Sequence, residues 1–122
     1  MNIALWTAQL LVAAVFAFSA VTKGTWSKER LLTNGQTGVA PVPLPLLRGI
    51  ALSELLGVLG LIIPWWTGIA PVLTPLAAAG LGVIMVGAAT VHLRLKEPGT
   101  ALQNLLLLTL CMFVVVGRVV QL

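Results

Sequence analysis

The chain has 122 residues, 59% of them hydrophobic and only 8% charged, with a formal net charge of +4. Soluble domains carry about 25% charged residues, so this composition excludes a surface that faces water on all sides, as does a mean hydropathy of +1.08. The seven basic residues form no patch or stripe for a phosphate backbone but sit at the ends of apolar segments, so no nucleic-acid partner is expected. The single cysteine, Cys111, excludes an internal disulfide, a CxxC redox pair and a thiolate metal cluster.

Four stretches of about 20 apolar residues, each enough to cross roughly 30 Å of hydrocarbon, predict an all-α fold. The expectation is a polytopic four-transmembrane-helix bundle, a single domain over residues 1–122, with a long first loop. The first helix is placed at about residues 3–22. Met1-Asn2-Ile3 has no positive charge, and the first cation, Lys23, follows the apolar run. A cleaved secretory signal has the opposite order, so this helix is read as retained. The polar stretch from Lys23 to Gln36 comes next, then Pro41-Val42-Pro43-Leu44-Pro45, whose prolines cannot continue a helix. Within this loop Trp26–Leu32 is expected to form a short interfacial helix. Trp26, Leu31 and Leu32 would lie on the membrane, with Lys28, Glu29 and Arg30 in water.

The second helix is expected at about residues 46–63, stopped by Pro64. A tight, uncharged turn, Trp65-Trp66-Thr67-Gly68, leads to the third helix at about 69–92, with Pro71 and Pro75 tolerated near its start. The polar turn Arg94-Leu95-Lys96-Glu97-Pro98-Gly99 precedes the last helix, at about 100–120. Lys23, Lys28, Arg30 and Arg48 belong to the first connection, Arg94 and Lys96 to the third, and the second has no charge. Positive residues favour the cytoplasmic side. In an inner membrane, as is expected for this chain, both termini and the Trp65-Trp66 turn should therefore lie outside. Arg118, near the outer end of the last helix, is expected to snorkel to the headgroups.

Glu54 is the one acidic residue inside an apolar span. An ionised carboxylate in hydrocarbon is costly, so it must be protonated, paired or turned to a wet cavity. It is the first candidate for acid–base chemistry; the alternative is a hydrogen bond that only locks two helices. The small residues of Gly49-xxx-Ser53-xxx-Gly57-xx-Gly60 predict a close helix contact beside it. His92 is the second candidate, because histidine titrates near neutrality and can relay protons. With no other histidine in the chain, a metal site is not expected. Lys23 and Arg48 are placed at the level of His92, and Gln103 and Asn104 enter the last helix there. Together these residues are expected to surround an anionic or quinone-like headgroup, with Glu54 deeper in the membrane.

Three segments resemble the DoxX-like family of small bacterial four-helix membrane proteins. They are Phe18-Ser19-Ala20-Val21-Thr22-Lys23, the stretch from Arg48 to Pro64 that includes Ser53-Glu54, and Leu73–Leu81 with Gly87–Arg94. Lys23, Glu54 and His92 match the family's polar signature. The resemblance implies an association with quinone or redox processes, since the family takes its name from a subunit linked to thiosulfate:quinone oxidoreduction. An accessory subunit that binds a lipophilic, quinone-like ligand is therefore the leading expectation, as a homo-oligomer or beside a redox-enzyme partner. No resident cofactor motif is evident. A membrane-embedded isomerase, cyclase or hydrolase using Glu54 and His92 is the second reading. A small proton-coupled transporter is the third.

Overall fold

The computed structural model describes residues 2–122. The helices are α1 (Asn2–Thr25), α2 (Lys28–Thr33), α3 (Leu44–Thr67), α4 (Leu73–Arg94) and α5 (Pro98–Val120), with a 3-10 turn at Thr37–Val39. Four of them, α1, α3, α4 and α5, are long and apolar enough to cross a membrane. At about 1.5 Å per residue, even the shortest of these, α4 with 22 residues, spans the hydrocarbon. The helix α1 packs on α3 and α5, and α4 packs on the same two. The bundle is thus a ring in which successive spans run antiparallel and α5 closes against α1. Both termini and the α3–α4 turn share one end, called here the terminus end. The helix α2, the 3-10 turn and the α4–α5 turn share the other, the loop end.

The inward stripes follow helical spacing. Leu5, Ala8, Val12, Phe16 and Ala20 are buried on α1, and Ala78, Leu81, Met85 and Ala89 on α4. Leu10, Leu52, Val83 and Leu106 are more than half exposed, as residues facing lipid should be. Lipid tails are as apolar as these side chains, so helix association there depends on close packing and polar contacts rather than on the hydrophobic effect. Gly57 supplies such a contact by admitting the Leu81 side chain, and Gly60 faces Ala77, so α3 and α4 approach closely. The other half of the small-residue pattern does not join in. Gly49 has open space beside it and Ser53 is exposed.

The end of α3 departs from expectation. Pro64 predicts a stop, yet the helix continues through Trp65 and Trp66 to Thr67 and is closed by Gly68 at φ +75°. A proline inside a helix leaves the carbonyl four residues earlier without its amide. Here that carbonyl belongs to Gly60, and the Thr74 hydroxyl of α4 donates to it at 3.1 Å. Its neighbour, the Leu61 carbonyl, accepts from Gln9 Nε2 of α1 at 2.7 Å. Neighbouring helices thus satisfy the backbone groups that proline would otherwise strand in lipid. Correspondingly α4 begins at Leu73 rather than near residue 69. Pro71 disfavours right-handed helical geometry for the preceding residue, and Ala70 there sits at φ +50°, outside the helix. The other proline, Pro75, falls in the first turn of α4, where no amide is needed.

We predict that Thr74→Val destabilises the bundle by about 1 kcal/mol. In a Pro64→Ala background the loss should shrink, because the new amide at position 64 claims the Gly60 carbonyl. A double-mutant cycle by denaturation in detergent checks this, and equal losses in both backgrounds would refute the coupling.

Candidate functional site

The loop between α1 and α3 folds back as a cap. Ser27 starts α2 by accepting from the Arg30 amide at 3.1 Å. Six residues are too few for an independent helix, so α2 relies on packing: Leu31 is buried with Val39 and Leu47, flanked by Trp26 and Val42. This corrects the expected placement of Leu31 and Lys28 on α2. Leu31 faces protein rather than membrane, and Lys28 is drawn in to the Val42 carbonyl at 2.8 Å. Trp26 meets the edge of Phe18 at 6.4 Å and carries the Arg30 guanidinium 4.1 Å above its ring. The cap is tied to α1 by Gln36 Nε2, which donates to the Thr22 hydroxyl at 3.0 Å.

Beneath the cap lies a cavity of about 470 Å³ reaching in between the four spans. Ligand pockets range over roughly 300–1,000 Å³. Ser19, Lys23, Gln36, His92, Thr100 and Asn104 supply its polar lining, and the remainder is mostly apolar.

Lys23 lies in the last turn of α1 and would reach outward if left alone. Instead its Nζ meets Glu54 Oε1 at 3.0 Å. Glu54 is fully buried, and its Oε2 has no hydrogen-bond partner. Arg48 donates through Nη1 to the Lys23 backbone carbonyl at 2.6 Å, a cation at the C-terminal end of α1 where the helix dipole favours it. Glu54 itself does not line the cavity; Lys23 does.

His92, half-buried near the end of α4, pairs through Nδ1 with Glu97 Oε1 at 2.9 Å. The Thr37 hydroxyl of the cap lies 2.8 Å from both Glu97 oxygens. Glu97 is in the α4–α5 turn, outside the spans. Its pKa is held below the usual carboxylate value, first by the His92 hydrogen bond and then by that of Thr37. With Nδ1 engaged, Nε2 is the free ring nitrogen, and it lies so close to Gly38 that a Cβ there would stand 2.9 Å away. A cap residue with a side chain would displace the ring.

Asn104 is buried against the cavity with its Nδ2 unpartnered. Gln103, expected beside it, is exposed and does not line the cavity. Adjacent helical residues point about 100° apart, so only one of the two can face inward. The structure therefore brings Lys23, His92 and Asn104 to one cavity, sets Glu54 and Arg48 behind Lys23, and leaves Gln103 outside. Glu54 and His92 form two separate pairs rather than one acid–base couple. Sequence reasoning passes over Glu97 and Thr37. For Glu97 a signal exists, an acid five residues after a helix-ending histidine, just ahead of Pro98-Gly99 that turns the chain back. Among the described residues no group of three His, Cys, Asp or Glu could hold a metal ion.

The terminus end holds a second polar cluster. Arg118 is completely buried, not snorkelling to the headgroups. Its Nε donates to Gln9 Oε1 at 2.7 Å, and its Nη1 to Asn2 Oδ1 at 2.7 Å and Gln121 Oε1 at 2.6 Å. The Trp65 and Trp6 rings lie 4.5 and 5.3 Å from the guanidinium carbon. For Nε and Nη1, acceptors inside the bundle thus replace those an outward-reaching side chain would seek in the headgroups, while Nη2 is buried without a partner.

The lowered pKa of Glu97 carries a sign. A carboxylate with a depressed folded-state pKa stabilises above its unfolded pKa, and the contribution disappears as pH falls through the folded value. We predict that the Glu97 carboxyl carbon titrates below the ordinary glutamate range by NMR and that Thr37→Val moves its midpoint upward. The cap, residues 35–42, should loosen as pH falls through that midpoint. An unmoved midpoint would show that Thr37 does not hold the carboxylate.

No curated protein and no solved structure matches the chain. The DoxX-like family model matches residues 7–114, which takes in every loop-end residue described above and stops short of Arg118. With nearly the whole chain matched and four helices fit to span a membrane, this is a multi-pass membrane protein of the DoxX-like family.

Proposed function

We propose that the chain is a binding protein for a lipophilic small molecule with a hydrogen-bonding head, of the quinone class. It would serve as an accessory subunit in a redox-linked process, as a homo-oligomer or beside a redox enzyme. The observation that carries this reading is the capped cavity, mostly apolar, with Lys23, His92 and Asn104 on its wall. An unpartnered buried donor such as Asn104 Nδ2 costs about 1–3 kcal/mol, and an oxygen of a bound ligand would offset that cost. The family supports the redox association, by fold analogy alone.

Native mass spectrometry of protein released gently from its own membranes tests the reading. The expected result is an adduct of defined mass, lost when Ser19→Phe fills the cavity while the melting temperature is kept or raised. A wild-type protein without an adduct would overturn it.

We also propose an inner-membrane location with the loop end cytoplasmic. Lys23, Lys28, Arg30, Arg48, Arg94 and Lys96 lie at that end, and such residues face the cytoplasm. An alkaline phosphatase domain fused after Leu122 should therefore be active, since it works only outside the cytoplasm. An inactive but intact fusion would reverse the assignment.

A further inference from the structure

The polar groups around the cavity are not alike, and their difference specifies a ligand. Lys23 Nζ and Asn104 Nδ2 are donors only. Asn104 Nδ2 has no partner, and Lys23 Nζ has only Glu54 Oε1. His92 differs, because Glu97 accepts the hydrogen bond from Nδ1–H, and in the neutral ring that tautomer leaves Nε2 with a lone pair. A histidine oriented by a carboxylate on its far nitrogen is the arrangement that makes the near nitrogen a proton acceptor. Thr37 completes the relay by donating to that carboxylate.

Resting on the binding function proposed above, we infer that the ligand's head carries an ionisable hydroxyl conjugated to a carbonyl, a hydroxyquinone, enol or acidic phenol, and that binding transfers the hydroxyl proton to His92 Nε2. The O–H bond of the ligand breaks and an N–H bond forms on Nε2; no electrons leave the pair. The imidazolium is held by Glu97 through the Nδ1–H it already donates. The ligand's oxyanion and carbonyl meet the donors Lys23 and Asn104. The charged groups near the ring are few. Glu97 faces it from the α4–α5 turn, and Lys23, already paired with Glu54 of α3, shares its cavity from α1. The cap contributes neutral Gln36 and Gly38, and α5 contributes neutral Thr100 and Asn104. Nothing else charged lines the cavity to compete for the proton.

The test uses two probes with the full chain in lipid nanodiscs: an alkylated 2-hydroxy-1,4-naphthoquinone, coloured when ionised, and its methyl ether. Wild type should lower the probe's hydroxyl pKa by about one unit, a tenfold shift toward the ionised form. His92→Phe should abolish the shift and Glu97→Gln should shrink it, while both variants still bind the methyl ether, which shows that they are folded. Binding of the hydroxyl probe with an unshifted pKa, or a shift that survives His92→Phe, would overturn the proton transfer and leave the binding function standing. Failure of both probes to bind wild type would overturn the binding function and this inference with it.

Discussion

An ion pair away from bulk water, Lys23 with Glu54, sets the constraints that the loop end must satisfy. Taking either charge into a bundle surrounded by hydrocarbon is costly, and removing one partner leaves the other uncompensated. Because Lys23 lies in the last turn of α1 and Glu54 well inside α3, their contact at 3.0 Å fixes the register of these two antiparallel helices. Arg48 then fastens the last turn of α1 through the Lys23 carbonyl. The pair also shapes the cavity. Left free, a lysine at a helix end would extend toward the headgroups; held by Glu54, it presents an ammonium group to the cavity wall instead. Glu54 therefore acts on the site through Lys23, a positioning role that combines the functional and the structural readings of an intramembrane acid.

The two ends of the bundle meet the same electrostatic demand by different means. At the loop end carboxylates answer basic side chains, Glu54 to Lys23 and Glu97 to His92. At the terminus end Arg118 is surrounded by amide oxygens and indole faces, with no carboxylate side chain among its partners. A guanidinium suits that environment because its charge is spread over a plane that stacks on aromatic rings and directs several donors outward. Gln9 serves both this cluster and the Pro64 break, since it accepts from Arg118 and donates to the Leu61 carbonyl. That end consists of interlocked polar contacts that tie α1, α3 and α5 together. The loop end, by contrast, combines its polar contacts with a cavity, and for that reason the functional reading belongs there.

The four spans were legible because length and hydropathy alone decide what crosses a bilayer. Their ends were less so. Pro64 reads as a stop in any sequence, and only the arrival of Thr74 from α4 shows why α3 can pass it. Lys23, His92 and Asn104 were legible as polar residues at one membrane level, since helical rise converts position into depth. Depth, however, says nothing of azimuth, and so Gln103 was grouped with Asn104 although one helical step turns it outward. The partners were harder still. Glu97 lies in a turn and Thr37 in the cap, separated by 60 residues, and no periodicity links a loop residue to the helix end it covers. The burial of Leu31 was hidden for the same reason, because its partners Val39 and Leu47 lie beyond the end of its own helix.

Closure of the cavity and the chemistry inside it depend on one carboxylate. Glu97 accepts from Thr37, which holds the cap down, and from His92 Nδ1, which aims Nε2. Both interactions require the carboxylate as acceptor, and its depressed pKa measures how strongly they favour the charged form. Protonating Glu97 would release the cap and the ring together. A proton arriving at His92 has the opposite effect, since a neighbouring imidazolium favours the ionised form of Glu97 and so keeps the acceptor that Thr37 needs. In the proposed transfer, the step that charges the ligand is thus a step that guards the cap's anchor against protonation. Proton transfer and the hold on the cap depend on the same three side chains, His92, Glu97 and Thr37.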